Sequence, residues 1–215
     1  MTNNDKSLKN IVVLVSGGGT NLQAIIDAQN SGIIKGGRIS CVISSKEDAY
    51  ALVRAENNGI ATRVIPRKSF ADSNEYSEAI LSALREENAD LVVLAGFMTI
   101  LGEQIIKAYP YKIINVHPAL IPSFCGQGYY GLKVHEKALE YGVKVSGATV
   151  HFVNEEADAG AVILQKAVEV KYGDTAEILQ KRIMEQAEWK ILPEAVSLFC
   201  QDKIFIEDGK AYIKD

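Results

Sequence analysis

The sequence predicts an α/β fold with a mostly parallel, twisted sheet and helices on both faces. Three observations carry this expectation. Short, continuously apolar, β-branched runs such as IVVLV at residues 11–15 and LVVLA at 91–95 read as strands buried on both faces. Segments with helical apolar spacing separate them, as in Tyr76, Ile80, Leu81 and Leu84. The alternation of the two repeats through the first half, which implies right-handed βαβ units.

Taken in order, residues 11–15 form the first strand, closed by Ser16-Gly17-Gly18-Gly19. Residues 21–30 read as a helix with Leu22, Ile25 and Ile26 on one side. A second strand spans 39–43, and a second helix spans 49–58, stopped by Gly59. The third strand spans 62–65 and ends at Pro66, which cannot continue a ladder. A longer helix follows over 73–87, then the apolar strand 91–95, a short helix over 99–108 and a fifth strand over 112–116. The pattern then changes. Residues 123–131 (SFCGQGYYG) are a glycine- and tyrosine-rich loop, and 132–141 a helix. Residues 148–153 and 162–170 are β-rich, with an acidic loop, 154–160, between them. Residues 175–199 read as one long helix, interrupted or bent near Pro193, and Asp208-Gly209 between two short apolar runs signals a hairpin. One domain over 1–215 is expected, with a nucleotide-type half over about 10–110 and an irregular half over about 111–200.

A chain of 215 residues buries roughly 70–75% of the surface its unfolded form exposes, so it needs no disulfide or metal staple. Hydrophobic residues make up 47% and charged residues 23%, which excludes wholesale disorder. The net charge of −4 gives no general pull toward nucleic acid or an anionic membrane. Cys41, Cys125 and Cys200 are too widely spaced for a zinc pattern and read as reduced thiols. The first ten residues lack the apolar core of a signal peptide, and no apolar run could span a bilayer, so a cytoplasmic protein is expected.

Three constellations could carry chemistry. The glycine loop before Thr20-Asn21-Leu22 lets backbone amides approach an anion at a helix start and suits a phosphate. It is neither a Walker loop nor a dinucleotide fingerprint, since Leu22 stands where a third glycine belongs. The bland alternative is a tight turn capped by Thr20 or Asn21. Asn115-Val116-His117-Pro118 ends a buried strand, where α/β proteins open their binding crevice. Alternation puts Asn115 and His117 on one side, an amide and an imidazole able to stabilise an oxyanion and move a proton. In 154–160 (NEEADAG), Glu155 and Glu156 read as a solvated turn, while Asp158 could point inward and favour a charged histidine. His117, His135 and His151 lack ligand-like spacing, so no metal is expected, and His151 reads as structural.

Together, SGGGTNLQAIIDA, LAGFMTIL, INVHPALIPSF and GATVHFVNEEADAGAVILQ resemble the glycinamide ribonucleotide formyltransferases of purine biosynthesis, in order, from about residue 10 to 199. The resemblance implies a Rossmann-like formyltransferase fold. It implies transfer of a formyl group from 10-formyltetrahydrofolate, as co-substrate, to the amine of phosphoribosylglycinamide, with no metal. It assigns the substrate phosphate to Gly19, Thr20 and Asn21, and the nucleotide to Glu188 as well. It sets Met98, Thr99, Ile100 and Leu101 beside the folate, together with Asn115, Asn154, Glu155, Glu156, Ala157 and Asp158. Asn115, His117 and Asp158 become the catalytic trio, with Asp158 raising the His117 pKa. The expected partners are these two small molecules, with no nucleic acid and no membrane, for a monomer or homodimer.

Two departures from the family stand out. SFCGQGYYGLKVH is longer than the usual loop, and FADSNEY lacks the basic residue often found before the third helix, leaving Arg67 or Lys68 to replace it. Three other readings have recognisable signatures. A formyltetrahydrofolate hydrolase would carry an extra N-terminal domain, a methionyl-tRNA formyltransferase a basic C-terminal one, and a non-catalytic nucleotide-binding module would bind no folate.

Overall fold

The computed structural model describes residues 8–214. The expectation drawn from the first ten residues falls partly on 1–7, outside the described residues. Seven strands form the main sheet: β1 (Lys9–Val15), β2 (Gly37–Ser44), β3 (Ala61–Val64), β4 (Leu91–Leu94), β5 (Ile113–His117), β6 (Val145–Phe152) and β7 (Val162–Glu169). Their order is β3-β2-β1-β4-β5-β6-β7. The first five are mutually parallel, and β6 and β7 are antiparallel.

The central strands are buried on both faces because their side chains alternate between two cores. Ile11, Val13 and Val15 of β1 face one core with α1 (Thr20–Asn30), α2 (Tyr50–Asn57), α5 (Leu132–Tyr141), α6 (Ala176–Ile183) and α7 (Trp189–Cys200). Val12 and Leu14 face the other, with Tyr76, Ile80 and Leu84 of α3 (Ser73–Glu86) and Ile105 of α4 (Glu103–Ala108). The predicted mostly parallel sheet with helices on both faces is therefore the one observed.

Three local expectations need correction. The helix expected over 99–108 begins only at Glu103, after Gly102, because Leu101 is drawn into the core and holds 99–101 in an irregular path. The long C-terminal helix is interrupted at Met184–Glu188, a widened turn, with Pro193 inside α7. A proline ring collides with the carbonyl four residues earlier. That carbonyl belongs to Trp189, whose ψ of −4° departs from helical values and turns it aside. The glycine loop is capped by neither Thr20 nor Asn21: Gly19, at φ 71°, is the N-cap, with no side-chain cap.

β8 (Ile204–Glu207) and β9 (Lys210–Ile213) form the expected hairpin, and positive φ at both Asp208 and Gly209 gives the turn that matches strand twist. Among the described residues no helix is long and apolar enough to cross a membrane.

The antiparallel pair β6–β7 needs a glycine at 147, because a Cβ there runs into the Lys166 backbone carbonyl. Gly147→Ala should lower stability by about 1–3 kcal/mol, as overpacking against backbone does, read as a shifted urea midpoint at unchanged slope. A wild-type midpoint would show that the two strands can part at no cost.

Candidate active site

The order 3-2-1-4-5 reverses direction between β1 and β4, and such a switch point opens a crevice at the strands' carboxyl ends. Ser16, at the end of β1, ties the crevice together. Its Oγ lies 2.6 Å from Ser45 Oγ beyond β2 and accepts the Met98 N–H beyond β4 at 2.9 Å.

On one side lies the glycine loop. Gly17 and Gly18 are exposed, and the first turn of α1 carries no acidic residue. With Gly19 as a bare cap, the amides at the start of α1 have no side-chain acceptor, which favours an anion. Asn21 Nδ2 donates to Glu188 Oε2 at 2.7 Å, joining α1 to the widened turn before α7. Glu188 is 6% exposed, and burial raises its pKa to about 7 against the lowering effect of Asn21. The Oδ1 of the same Asn21 and Nε1 of Trp189, next in sequence to Glu188, are buried without protein partners. A cleft of about 880 Å³ between α1 and α7 opens beside Thr20, Arg54 and Trp189.

On the other side, β5 delivers Asn115 and His117, and the antiparallel register sets His151 opposite Asn115 and Thr149 opposite His117. Asn115 Nδ2 lies 3.2 Å from His151 Nε2, whose other nitrogen, Nδ1, donates to the Phe152 carbonyl at 2.8 Å. Asp158 arrives from the loop after β6. It adopts φ 57°, which aspartate tolerates better than most residues. Its Oδ2 lies 3.4 Å from His117 Nδ1 and accepts the Gly126 N–H at 2.9 Å, while Oδ1 lies 3.6 Å from His151 Nε2. The trio expected from the sequence converges, with His151 as a fourth member. His151 lies within the GATVHFVNEEADAG stretch but reads from the sequence as structural. Only its position opposite Asn115 in the ladder could have marked it.

The long loop SFCGQGYYG is part of this arrangement. His117 Nε2 donates to the Phe124 carbonyl at 2.8 Å, and the Gly126 amide holds Asp158. Thr149 Oγ1 anchors the loop's start by donating to the Ala119 carbonyl at 2.7 Å and accepting from the Ile121 N–H at 3.1 Å.

Electrostatics correct one expectation. Burial pushes the His117 pKa below its ordinary value, and it prevails over Asp158 and the Phe124 carbonyl, which both push it up. Burial likewise pushes the Asp158 carboxyl up, but His151, His117 and the Gly126 amide prevail and hold it below the ordinary value. His135 is fully buried with both ring nitrogens unpartnered, and burial and His117 lower its pKa to about 4. The Cys125 thiol is pushed up by burial and then by Asp158, which leaves it a poor nucleophile.

Around the crevice, Met98 and Ile100 are exposed, Thr99 is partly buried and Leu101 belongs to the core. Asn154, Glu155, Glu156 and Ala157 are exposed, and Asn154 Oδ1 accepts the Glu156 N–H at 3.2 Å. Arg67 donates to the Phe70 carbonyl and to Ser73 Oγ at 3.1 and 3.2 Å. With Lys46 and Lys68 it lines a hollow of about 710 Å³ next to Ser45. Among the described residues, no group of three or more His, Cys, Asp or Glu side chains could hold a metal ion.

A profile described as Formyl transferase matches residues 9–196. The chain is 43% identical over 206 residues to the phosphoribosylglycinamide formyltransferase of Haemophilus influenzae, covering 96% of this chain and 94% of that one. It is 40% identical to the Escherichia coli protein of the same name, covering 95% and 93%. The crystal structure of glycinamide ribonucleotide transformylase 1 from Symbiobacterium toebii superposes with a TM-score of 0.91 at 41% identity, covering 97% of this chain and 95% of that one.

Glu188 makes a measurable prediction. Below pH 4.5 it is protonated whether the chain is folded or not. Between 4.5 and about 7 the unfolded chain releases the proton that the folded one keeps, so stability falls across that window, by up to about 3 kcal/mol, and is flat above it. Urea unfolding of wild type and Glu188→Gln at pH 5 and pH 8 should show the larger loss in wild type. Parallel losses would mean that Glu188 ionises normally.

Proposed function

The chain belongs to the formyl transferase family, and from that premise we propose that it transfers a formyl group from 10-formyltetrahydrofolate to the amine of phosphoribosylglycinamide, in purine biosynthesis in the cytoplasm. The observation that carries this reading is the meeting of Asn115, His117 and Asp158 at the carboxyl end of β5, across the crevice from an uncapped glycine loop. One end of the crevice suits a phosphate and the other an acyl transfer. The relatives named for this reaction, alike over nearly the whole chain, support it.

In this reading the phosphate sits on the amides of Gly19, Thr20 and Asn21, and Glu188 meets the nucleotide beyond it. Met98, Thr99, Ile100 and Leu101 line the folate together with Asn115 and the loop Asn154, Glu155, Glu156, Ala157 and Asp158. The neutral substrate amine attacks the formyl carbon. A new C–N bond forms, and negative charge collects on the formyl oxygen. Asn115 Nδ2 and His117 Nε2 donate to that oxygen, each such donor worth about 3–4 kcal/mol. The Phe124 carbonyl now holds the His117 proton, so the formyl oxygen replaces it as acceptor. Collapse breaks the bond to the folate nitrogen, which leaves with a proton from His117, and the proton released by the attacking nitrogen returns to His117, so no net proton is gained or lost. The burial that lowers the His117 pKa makes its cation a stronger acid but a scarcer one at neutral pH. Asp158 offsets that scarcity by favouring the charged ring.

A formyl-transfer assay with both substrates tests the reading directly. Formate release to water without transfer to the amine would replace it with hydrolysis. His117→Ala should lose about two orders of magnitude in turnover while remaining folded, and near-normal turnover would remove His117 from the chemistry.

Asp158→Asn keeps the side chain's shape and removes its charge. The His117 pKa should then fall further, since burial is left unopposed by the carboxylate, and the alkaline limb of the rate profile should move to lower pH. Each unit of that fall corresponds to about 1.4 kcal/mol lost from the cation. An NMR titration of His117 in both proteins measures it. An unchanged histidine with turnover lost would show that Asp158 acts otherwise than through charge.

A further inference from the structure

The glycine loop takes its direction from α2. The Ala51 N–H donates to the Gly17 carbonyl at 3.1 Å, and Arg54 Nε donates to the Gly18 carbonyl at 2.8 Å. A trans peptide points its N–H opposite to its carbonyl. With both carbonyls held toward α2, the Gly18 and Gly19 amides are aimed away from it. Successive amides turned the same way form a concavity that receives an anion. Gly19 completes the fit: its φ is 71°, and a Cβ on it would lie 2.6 Å from that of Ala51, so this residue rests directly on α2.

Arg54 is itself held in place. Its Nη1 donates to Gln23 Oε1 on α1 at 3.1 Å, and its guanidinium lies 5.0 Å from the centre of the Tyr50 ring. One planar group thus joins the loop, the first turns of α1 and the face of α2. A lysine could supply the charge but not two donors in a fixed fork.

We infer that Arg54 is a positioning residue for substrate phosphate, acting by fixing the Gly18 carbonyl and hence the direction of the Gly19 amide. The inference rests on the phosphate reading of the glycine loop and deepens it. Arg54 lies outside the SGGGTN motif, and its part follows only from the packing of α2 against the loop.

The test combines steady-state kinetics with amide NMR, using inorganic phosphate as the probe. In wild type, phosphate should shift the Gly18 and Gly19 amide resonances. Arg54→Met should raise KM for the ribonucleotide about tenfold or more, as loss of a hydrogen bond from a charged donor does, with little change in kcat or in KM for the formyl donor. It should also displace the Gly19 resonance before phosphate is added and weaken its response afterwards. Arg54→Lys should recover only part of the affinity. Full recovery with lysine would assign the effect to charge alone and overturn the positioning role. A wild-type response in Arg54→Met would overturn it equally. Should that variant fail to fold, Arg54→Lys and Gln23→Ala carry the same readout, with a smaller rise in KM expected for each and an unchanged KM in both overturning the inference. Absence of phosphate shifts in wild type would sink the phosphate reading itself, and this inference with it.

Discussion

Two adjacent parallel strands, β1 and β4, send the chain to opposite faces of the sheet, and the rest of the site depends on that divergence. After β1 the chain enters α1, which packs into the core of Ile11, Val13 and Val15. After β4 it runs to Leu101 and α4, which pack into the core of Val12 and Leu14. The two exits cannot fill the space between them, so a crevice remains at the strands' carboxyl ends. The Ser16 hydroxyl, in contact with Ser45 and Met98, links the ends of β1, β2 and β4 at that point.

The second half of the chain furnishes the opposite wall by a different device. Here α5 leads from β5 to β6, and β6 and β7 then pair antiparallel beside β5 and place side chains directly opposite one another. That register brings His151 to Asn115 and Thr149 to His117. The β6–β7 connection then carries Asp158 across to both histidines. Gly160 makes the return feasible, since a Cβ there would run into the Phe152 carbonyl. The loop after β5 is secured from two sides, at its root by Thr149 and at its tip by His117 and Asp158.

Burial and neighbouring polar groups oppose each other at Glu188, Asp158 and His117. Glu188, with only the Asn21 amide for company, yields to burial and is raised to about 7. Asp158, facing two imidazoles and a backbone N–H, resists it and stays ionised more readily than usual. His117 falls between them, lowered by burial and partly restored by Asp158. The two carboxyl groups in one crevice are pushed in opposite directions because one faces imidazoles and a backbone N–H and the other only an amide.

Local sequence determined the strands and most of the helices. Apolar runs of strand length, helical spacing and glycine punctuation are short-range properties that survive without tertiary context. Asn115 and His117 were legible because two-residue alternation alone places them together, whereas Asp158 joined them through the resemblance to the family. Pro193 announced a break in the last helix but not its location upstream at Met184–Glu188, and the start of α4 was not legible, since burial of Leu101 belongs to packing. Nor were His151, the carbonyl of Phe124 or the brace of Arg54, which meet their partners across a strand ladder, a loop and a helix face. The balance that lowers the His117 pKa is of the same kind. A sequence names the charges near a histidine, but only the folded chain decides how much water they lose, and here that loss outweighs the carboxylate.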